Sequence, residues 1–228
     1  MTTLAGNGDP GYLDGSAIEA RFNRPSSLAV DARGTIYVGE EAGHRIRRIT
    51  PDGQVSTVAG TGEAGFADGM ASQAKFNTPL GLAADMQGNL YVADSKNYRI
   101  RRISPDGIVS TVAGEGSEGY NDGAAEKARF EFVAGVAVDQ RGNLFISDLG
   151  ADSIRELSPN GQVTTLVGGG DRHLRHHLYD ELNERGYADG ANLQARFASP
   201  GDISFDPKGN LWVADLGNNA IRKITFVK

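Results

Sequence analysis

The stretch GLAADMQGNLYVADSKNYRIRRISPDGIVSTVAG, residues 81–114, contains the pattern that decides the fold. Short apolar or alternating runs are separated by turn residues; the runs are Gly81–Ala84, Leu90–Ala93, Arg99–Ile103 and Ile108–Ala113. The separators are Gln-Gly-Asn, Ser-Lys-Asn and Pro-Asp-Gly. Runs of this length bounded by Gly, Pro, Asn and Asp are typical of strands joined by hairpin turns. The stretch therefore predicts four short antiparallel strands.

The same pattern occurs four times along the chain. Phe22, Phe76 and Phe130 are spaced by 54 residues, and Phe197 follows Phe130 after 67, so one unit carries 13 additional residues. An Asp-Gly segment precedes each Phe, as in GFADGMASQAKF, residues 65–76. A fixed period of this size indicates a repeat architecture. We place the units at about 7–60, 61–114, 115–168 and 169–228, with an insertion at 171–184.

Radial repetition of four antiparallel strands predicts an all-β fold, a β-propeller of four four-stranded blades in a single domain, 1–228. A solenoid is the alternative, but solenoid units rarely contain four hairpinned strands. The chain opens with TTLAG, which matches the fourth strand of a unit, and it ends on a third strand. We therefore expect the N-terminal strand 2–6 to complete the last blade and close the ring. The alternative is a larger ring shared by two chains.

The repeat, with GNLYVAD at 88–94, RIRRI at 99–103 and PDG at 105–107, resembles the NHL repeat family over essentially the whole chain. The resemblance implies a β-propeller, often of six blades in that family. It also implies a broad range of functions, namely protein-interaction platforms, RNA-binding propellers, sensor domains and a metal-linked lyase. Fold analogy does not choose among them.

Composition excludes several classes of site. The net charge of -6, from 23 basic and 29 acidic residues, argues against a nucleic-acid partner. The chain has no cysteine, so it can form neither disulfides nor thiolate metal sites. It shows no apolar run of membrane-spanning length and no signal peptide, so we expect a soluble protein of unassigned compartment.

Acidic residues recur at two places in every unit. They are Glu40, Asp94, Asp148 and Asp215 at the loop after the second strand, and Asp14, Asp68, Asp122 and Asp189 before each Phe. Eight carboxylates on one side of the molecule could hold Ca²⁺ or another divalent cation. Arginines recur equally regularly, at Arg47, Arg101, Arg155 and Arg222. One acid-to-arginine bridge per blade would explain both series as scaffold, which is the favoured interpretation.

Positions that differ between units are the better candidates for a ligand site. Asp202 aligns with Ser27, Gly81 and Gly135 at the start of the innermost strand. In a closed ring it could meet Glu40 and His44, which makes these three the candidate catalytic residues. Candidate ligand-binding residues are Glu41, Asp94, Tyr98, Asp148, Asp152 and Asp215. Drift among repeats is the alternative explanation.

The insertion holds three of the four histidines of the chain. On a helix, His173, His177 and Glu181 would share one face at metal-ligand spacing, which makes them candidate metal ligands. The alternative is a solvated amphipathic helix that docks through its leucines.

These observations favour a ligand- or protein-binding scaffold that uses the loops around the central channel. The partner would be a protein segment, a glycan or a small polar ligand, and a monomer is favoured over a dimer. Two alternatives are a metal-assisted hydrolase or lyase at the channel mouth and an engineered or fragmentary propeller without activity.

Overall fold

A computed structural model describes residues 1–169 and 186–226. Its strands form four antiparallel sheets, which we call blades 1 to 4. Blade 1 contains β1 (Gly15–Ser16), β2 (Pro25–Val30), β3 (Ile36–Glu40), β4 (Arg45–Ile49) and β5 (Gln54–Ala59). Blade 2 contains β6 (Gly69–Met70), β7 (Pro79–Ala84), β8 (Leu90–Asp94), β9 (Arg99–Ile103) and β10 (Ile108–Ala113).

The second half of the chain repeats this order. Blade 3 contains β11 (Gly123–Ala124), β12 (Val133–Val138), β13 (Leu144–Asp148), β14 (Ser153–Leu157) and β15 (Gln162–Gly168). Blade 4 contains β16 (Pro200–Phe205), β17 (Leu211–Asp215) and β18 (Ala220–Ile224). Short 3-10 helices lie at Ser95–Asn97, Asn192–Gln194 and Leu216–Asn218. The structure confirms the predicted all-β propeller with four blades.

The Asp-x-x-Gly turns explain why each inner strand folds back at the same point. In blade 2 the Asp85 carboxylate accepts hydrogen bonds from the backbone N–H groups of Gln87, at 2.9 Å, and Asn89, at 2.8 Å. Gly88 has φ +86°, a conformation that costs glycine little and other residues more. The side chain thus satisfies turn amides that would otherwise need water.

The core lies between the blades. Phe76 is fully buried in a cluster that joins Ile46 of blade 1 to Leu82 and Val92 of blade 2. Phe130 and Phe197 are buried in the same way between blades 2 and 3 and between blades 3 and 4. These aromatic side chains therefore act as wedges between neighbouring blades.

The number of strands per blade differs from the predicted four. Blades 1 to 3 have five strands, because each crossover contributes a two-residue strand to the outer edge of the blade it enters. In blade 2 this strand pairs Gly69 with Val109 and Met70 with Ile108. Blade 4 has three strands, since no fourth strand pairs with the outer edge of β18 among the described residues.

The predicted closure of the ring by residues 2–6 is not formed. Consecutive inner strands pack against each other, β2 on β7, β7 on β12 and β12 on β16. Within the described part of the chain, no comparable packing joins β16 to β2. The first and last inner strands therefore lack the packing that joins the other inner strands. The four blades form an open arc.

Candidate functional site

One face of the propeller carries the loops that lead into the inner strands and the loops after β3, β8, β13 and β17. We call this surface the loop face, residues 23–24, 41–44, 77–78, 95–98, 131–132, 149–152, 198–199 and 216–219. The two sets of loops are tied together within each blade by backbone hydrogen bonds. Glu41 N–H donates to Arg24 O at 2.9 Å in blade 1, and Leu149 N–H donates to Phe132 O at 2.8 Å in blade 3. The loop face is therefore built on a hydrogen-bonded frame.

The recurring buried arginine stabilises this frame through hydrogen bonds, as blade 2 shows. Arg101 is fully buried and donates to Asp94 at 2.7 Å and to Asp68 at 2.6 Å. It also donates to the backbone carbonyls of Ala67, at 2.6 Å, and Lys75, at 3.1 Å. One guanidinium thus connects strand β8 to the crossover that enters the blade, and both carboxylates accept hydrogen bonds from it.

Two aromatic rings complete the arginine site. The Arg101 guanidinium carbon lies 4.7 Å from the ring centroid of Phe66 and 5.1 Å from that of Phe76. Cations within about 6 Å of an aromatic centroid are attracted by the ring quadrupole. The second aromatic residue of each crossover therefore packs on the arginine rather than anchoring a blade contact alone.

The same arrangement is present in every blade. The arginines Arg47, Arg155 and Arg222 bind the carboxylate pairs Glu40 with Asp14, Asp148 with Asp122, and Asp215 with Asp189. The corresponding ring pairs are Tyr12 with Phe22, Tyr120 with Phe130, and Tyr187 with Phe197. All eight recurring carboxylates are engaged by arginine, as the scaffold interpretation expects.

Burial shifts the titration of these acids. Desolvation is the largest effect on each; it raises the pKa of Glu40 and Asp94, and it raises the pKa of Asp148 to about 6. Hydrogen bonds from the loop backbone, such as Asn77 N–H to Asp94 at 2.7 Å, act in the opposite direction. The raised pKa values therefore have a structural cause, enclosure beside an arginine, and are not by themselves a sign of acid-base chemistry.

The predicted ligand-binding residues Asp94, Asp148 and Asp215 do not reach the surface. The first two have no solvent-exposed area and the third has 1%. Among residues 1–169 and 186–226, no group of three His, Asp or Glu side chains is arranged to hold a metal ion. The carboxylates predicted to hold Ca²⁺ are instead separated into four arginine-bound pairs.

His44, Tyr98, Asp152 and Asn219 occupy one equivalent position of the repeat, and all four have a left-handed backbone with φ between 47° and 54°. Two of them accept a hydrogen bond from the loop that enters the next blade. Thr78 N–H donates to His44 Nδ1 at 3.2 Å, and Ser199 N–H donates to Asp152 at 2.7 Å. Partial burial and the nearby Lys96 and Arg45 lower the pKa of His44, which favours the neutral ring that this bond requires. The Glu41 carboxylate pairs with the Arg24 guanidinium at 3.2 Å, and the Glu41 side chain is 30% exposed.

Asp202 is not brought together with Glu40 and His44. It lies on β16 at the end of the arc, while the other two lie in blade 1. A Cβ at Gly81 would lie 2.6 Å from Ala134 O of the next inner strand, and one at Gly135 would lie 3.0 Å from Gly201 O. Blade 4 tolerates Asp202 because, in the described residues, no inner strand packs beyond it. Its partial burial raises the pKa of the carboxyl.

The candidate metal ligands His173, His177 and Glu181 lie outside the described residues.

Sequence reasoning missed that each aromatic pair encloses the arginine and that backbone carbonyls share in binding it. A signal was present in the spacing. Each crossover aspartate precedes its arginine by 33 residues, and each loop acid precedes the same arginine by 7, in all four units. A constant offset between opposite charges indicates a direct contact within each repeat.

The comparisons with known proteins agree with this geometry. The sequence profile of the NHL repeat matches residues 76–103 and 197–224. NHL repeat-containing protein 2 of Bos taurus is 27% identical over 248 residues, which cover 96% of this chain and 33% of that protein. The chain is an NHL-repeat β-propeller. Each of its blades is one repeat built around a buried arginine.

Two further comparisons extend over most of the chain. Protein SUPPRESSOR OF QUENCHING 1, chloroplastic, of Arabidopsis thaliana is 26% identical over 98% of this chain, which covers 22% of that protein. The NHL propeller thus spans a third or less of these curated relatives. A solved structure described as an auxiliary nutrient binding protein from Bacteroides ovatus has a TM-score of 0.66 at 21% identity, over 90% of this chain and 49% of that one. None of the described helices is long and apolar enough to span a membrane.

Proposed function

We propose that this NHL propeller is a binding scaffold whose loop face holds a segment of another protein. The observation that supports the proposal is a contrast between neighbouring positions. The residues around each arginine repeat in every blade, whereas many loop-face positions beside them vary between blades, as His44, Tyr98, Asp152 and Asn219 do. A rigid frame that displays non-repeating side chains is the usual arrangement of a binding surface.

The side chains on the loop face favour a protein segment as the partner. Lys96 and Leu216 are exposed, and Tyr98, Phe132 and Leu149 are half-buried. Aromatic and apolar side chains beside charged ones are typical of the anchor positions of protein interfaces. A glycan or a small polar ligand would use the same face. The hydrolase or lyase alternative lacks a comparable observation, because Asp202 lies in blade 4 and Glu40 and His44 lie in blade 1, with no close packing between their inner strands in the described residues.

A peptide-display selection on the whole chain tests the proposal. Peptides selected on the wild type should lose most of their affinity for a Lys96→Ala, Leu216→Ala variant. Each truncation removes an exposed contact without touching an arginine site. Affinity is measured by surface plasmon resonance on the immobilised propeller, with an array of neutral and acidic oligosaccharides as the second probe.

The matched control changes residues of blades 2 and 4 on the face of the propeller opposite the loop face. Gln87→Ala with Lys208→Ala alters two exposed residues of the Asp-x-x-Gly turns, and binding should persist. Peptides that bind the loop-face variant as tightly as the wild type would contradict the proposal. So would selection of oligosaccharides but no peptide, which would move the assignment to a glycan.

A further inference from the structure

The first and last blades of the open arc each expose a surface whose equivalent in the other blades is packed against a neighbouring blade. We propose that two copies of this chain bind head to tail, so that two four-bladed arcs form one eight-bladed ring. In this ring, residues 2–5 of each copy supply the missing fourth strand of the other copy's blade 4. The proposal concerns the sides of the end blades and does not depend on what the loop face binds.

The first surface is the outer edge of β18. In blades 1 to 3 the equivalent strands β4, β9 and β14 pair with a following strand. Among the described residues β18 pairs only with β17. As a result, Ile221 is 71% exposed, whereas its equivalents Ile46, Ile100 and Ile154 are fully buried. An unpaired edge with an exposed isoleucine is a template for another strand.

The second surface is the N-terminal segment, which is already held in the position of a fourth strand. Gly6 N–H donates to Ala17 O at 2.8 Å, and Asn7 N–H donates to Ala20 O at 3.2 Å. The corresponding bonds, Gly60 to Ala71 at 2.9 Å and Thr61 to Ala74 at 3.0 Å, fix the chain immediately after β5. Residues 2–5 therefore lie where the last strand of a preceding blade would end.

The faces beside these edges are complementary. Leu28 and Val30 of β2 are 67% and 61% exposed, while Leu82, the equivalent of Leu28, is buried against blade 1. On the strands of blade 4, the exposed large apolar residues are Trp212 and Ile221. Inside the arc, their equivalents Tyr37 and Ile46 share one cluster with Leu82. Trp212 and Ile221 of one copy would thus cover Leu28 of the other.

The blade count favours a second copy as the occupant. A chain that closed on itself would pack β16 against β2, and the described residues show no packing between these strands comparable to that between the other inner strands. Eight blades lie within the usual range of propellers, about four to eight. Asp202 faces the new junction, which must therefore be wider at the inner strands than the internal junctions.

The repeat also predicts the register of the new strand pair. Within blade 1, Arg48 pairs with Ser56, and their side chains are in contact at 2.9 Å. The equivalent residues are Lys223 in β18 and Thr2 in the N-terminal segment. Both are exposed, and the native chain has no cysteine. A disulfide between cysteines at these two positions is therefore a direct measure of the pairing.

Light scattering and oxidative crosslinking test the proposal on the full chain. The wild type should show twice the chain mass of 24.1 kDa, and Ile221→Asp should return it to the mass of one chain. Met86→Asp is the matched control, because Met86 is 85% exposed but lies in a turn away from the junction. A mixture of Thr2→Cys chains with Lys223→Cys chains should form a disulfide-linked heterodimer.

Three results would overturn the proposal. The first is a wild type that stays at the mass of one chain at every concentration. The second is a dimer that Ile221→Asp leaves intact, which would place the interface elsewhere. The third is a Thr2→Cys, Lys223→Cys double variant that forms its disulfide within a single chain, because the arc would then close on itself as a four-bladed ring.

Discussion

Arg101 is the residue on which blade 2 depends most. Replacing it with methionine keeps much of the volume but leaves the Asp94 carboxylate buried and without its cation. Removal of one partner from a buried ion pair costs about 3–5 kcal/mol. We expect Arg101→Met to lower the free energy of unfolding by that amount, measured by urea denaturation.

Lys75 provides the matched control for Arg101. It pairs with Glu63 at 2.7 Å, but the two side chains are 37% and 73% exposed. Exposed pairs contribute about 0–1 kcal/mol, so Lys75→Met should change stability little. Equal losses for both variants would show that the buried arginine site does not hold the blade.

The arginine site also shows what can be predicted from single residues. Asp68, Asp94 and Arg101 recur in all units, and that regularity alone favoured scaffold over a cation site. The role of Phe66 as a ring packed on the guanidinium could not be predicted, because aromatic side chains at this spacing fit an inter-blade wedge equally well. Asp202 departs from the glycine of blades 2 and 3, and its place on the last inner strand of the arc is a structural explanation of that departure.

The inner strands are the elements that bring the blades together. Gly81 of β7 faces the next inner strand so closely that a Cβ would lie 2.7 Å from Gly135 Cα. The neighbour here is backbone, which cannot move aside as a flexible side chain can. We expect Gly81→Ala to destabilise the fold by about 1–3 kcal/mol in thermal or urea unfolding, through overpacking.

Ser27 in β2 is the control for Gly81, because it occupies the equivalent position and already carries a Cβ. Its hydroxyl oxygen is buried without a hydrogen-bond partner in the described structure. Ser27→Ala should therefore cause no loss of stability. If Gly81→Ala were as stable as the wild type, the inner strands would have to be more loosely packed than the structure shows.

For the secondary-structure elements, the sequence predicted the four main strands of a unit but not the two-residue strands at the outer edges of the blades. The four strands of each unit follow from apolar runs and turn residues, as in Leu90–Asp94 and Arg99–Ile103. The two-residue strands of the crossovers were not predicted, because Gly69–Met70 has neither the length nor the alternation of a strand. It is extended only because β10 offers it a free edge.

For the whole molecule, the arc could not be predicted from the repeat. Four units and a matching N-terminal segment suggested a closed ring, and the same features fit one half of a larger ring. The difference depends on the rotation between blades, which comes from the volumes of side chains such as Phe76 and Leu82 packed between sheets. No spacing in the sequence reports that angle.

Hydrogen exchange followed by mass spectrometry should distinguish the free ends of the arc from its interior. Strand β9 is paired on both edges, whereas β18 is paired only with β17 among the described residues. Unpaired edge amides open at low free-energy cost, so in dilute solution β18 should exchange orders of magnitude faster than β9. Raising the protein concentration should protect β18 and residues 2–5 together while β9 stays unchanged, because pairing between copies follows mass action. Protection of β18 equal to that of β9 at every concentration would mean that each chain seals its own edge.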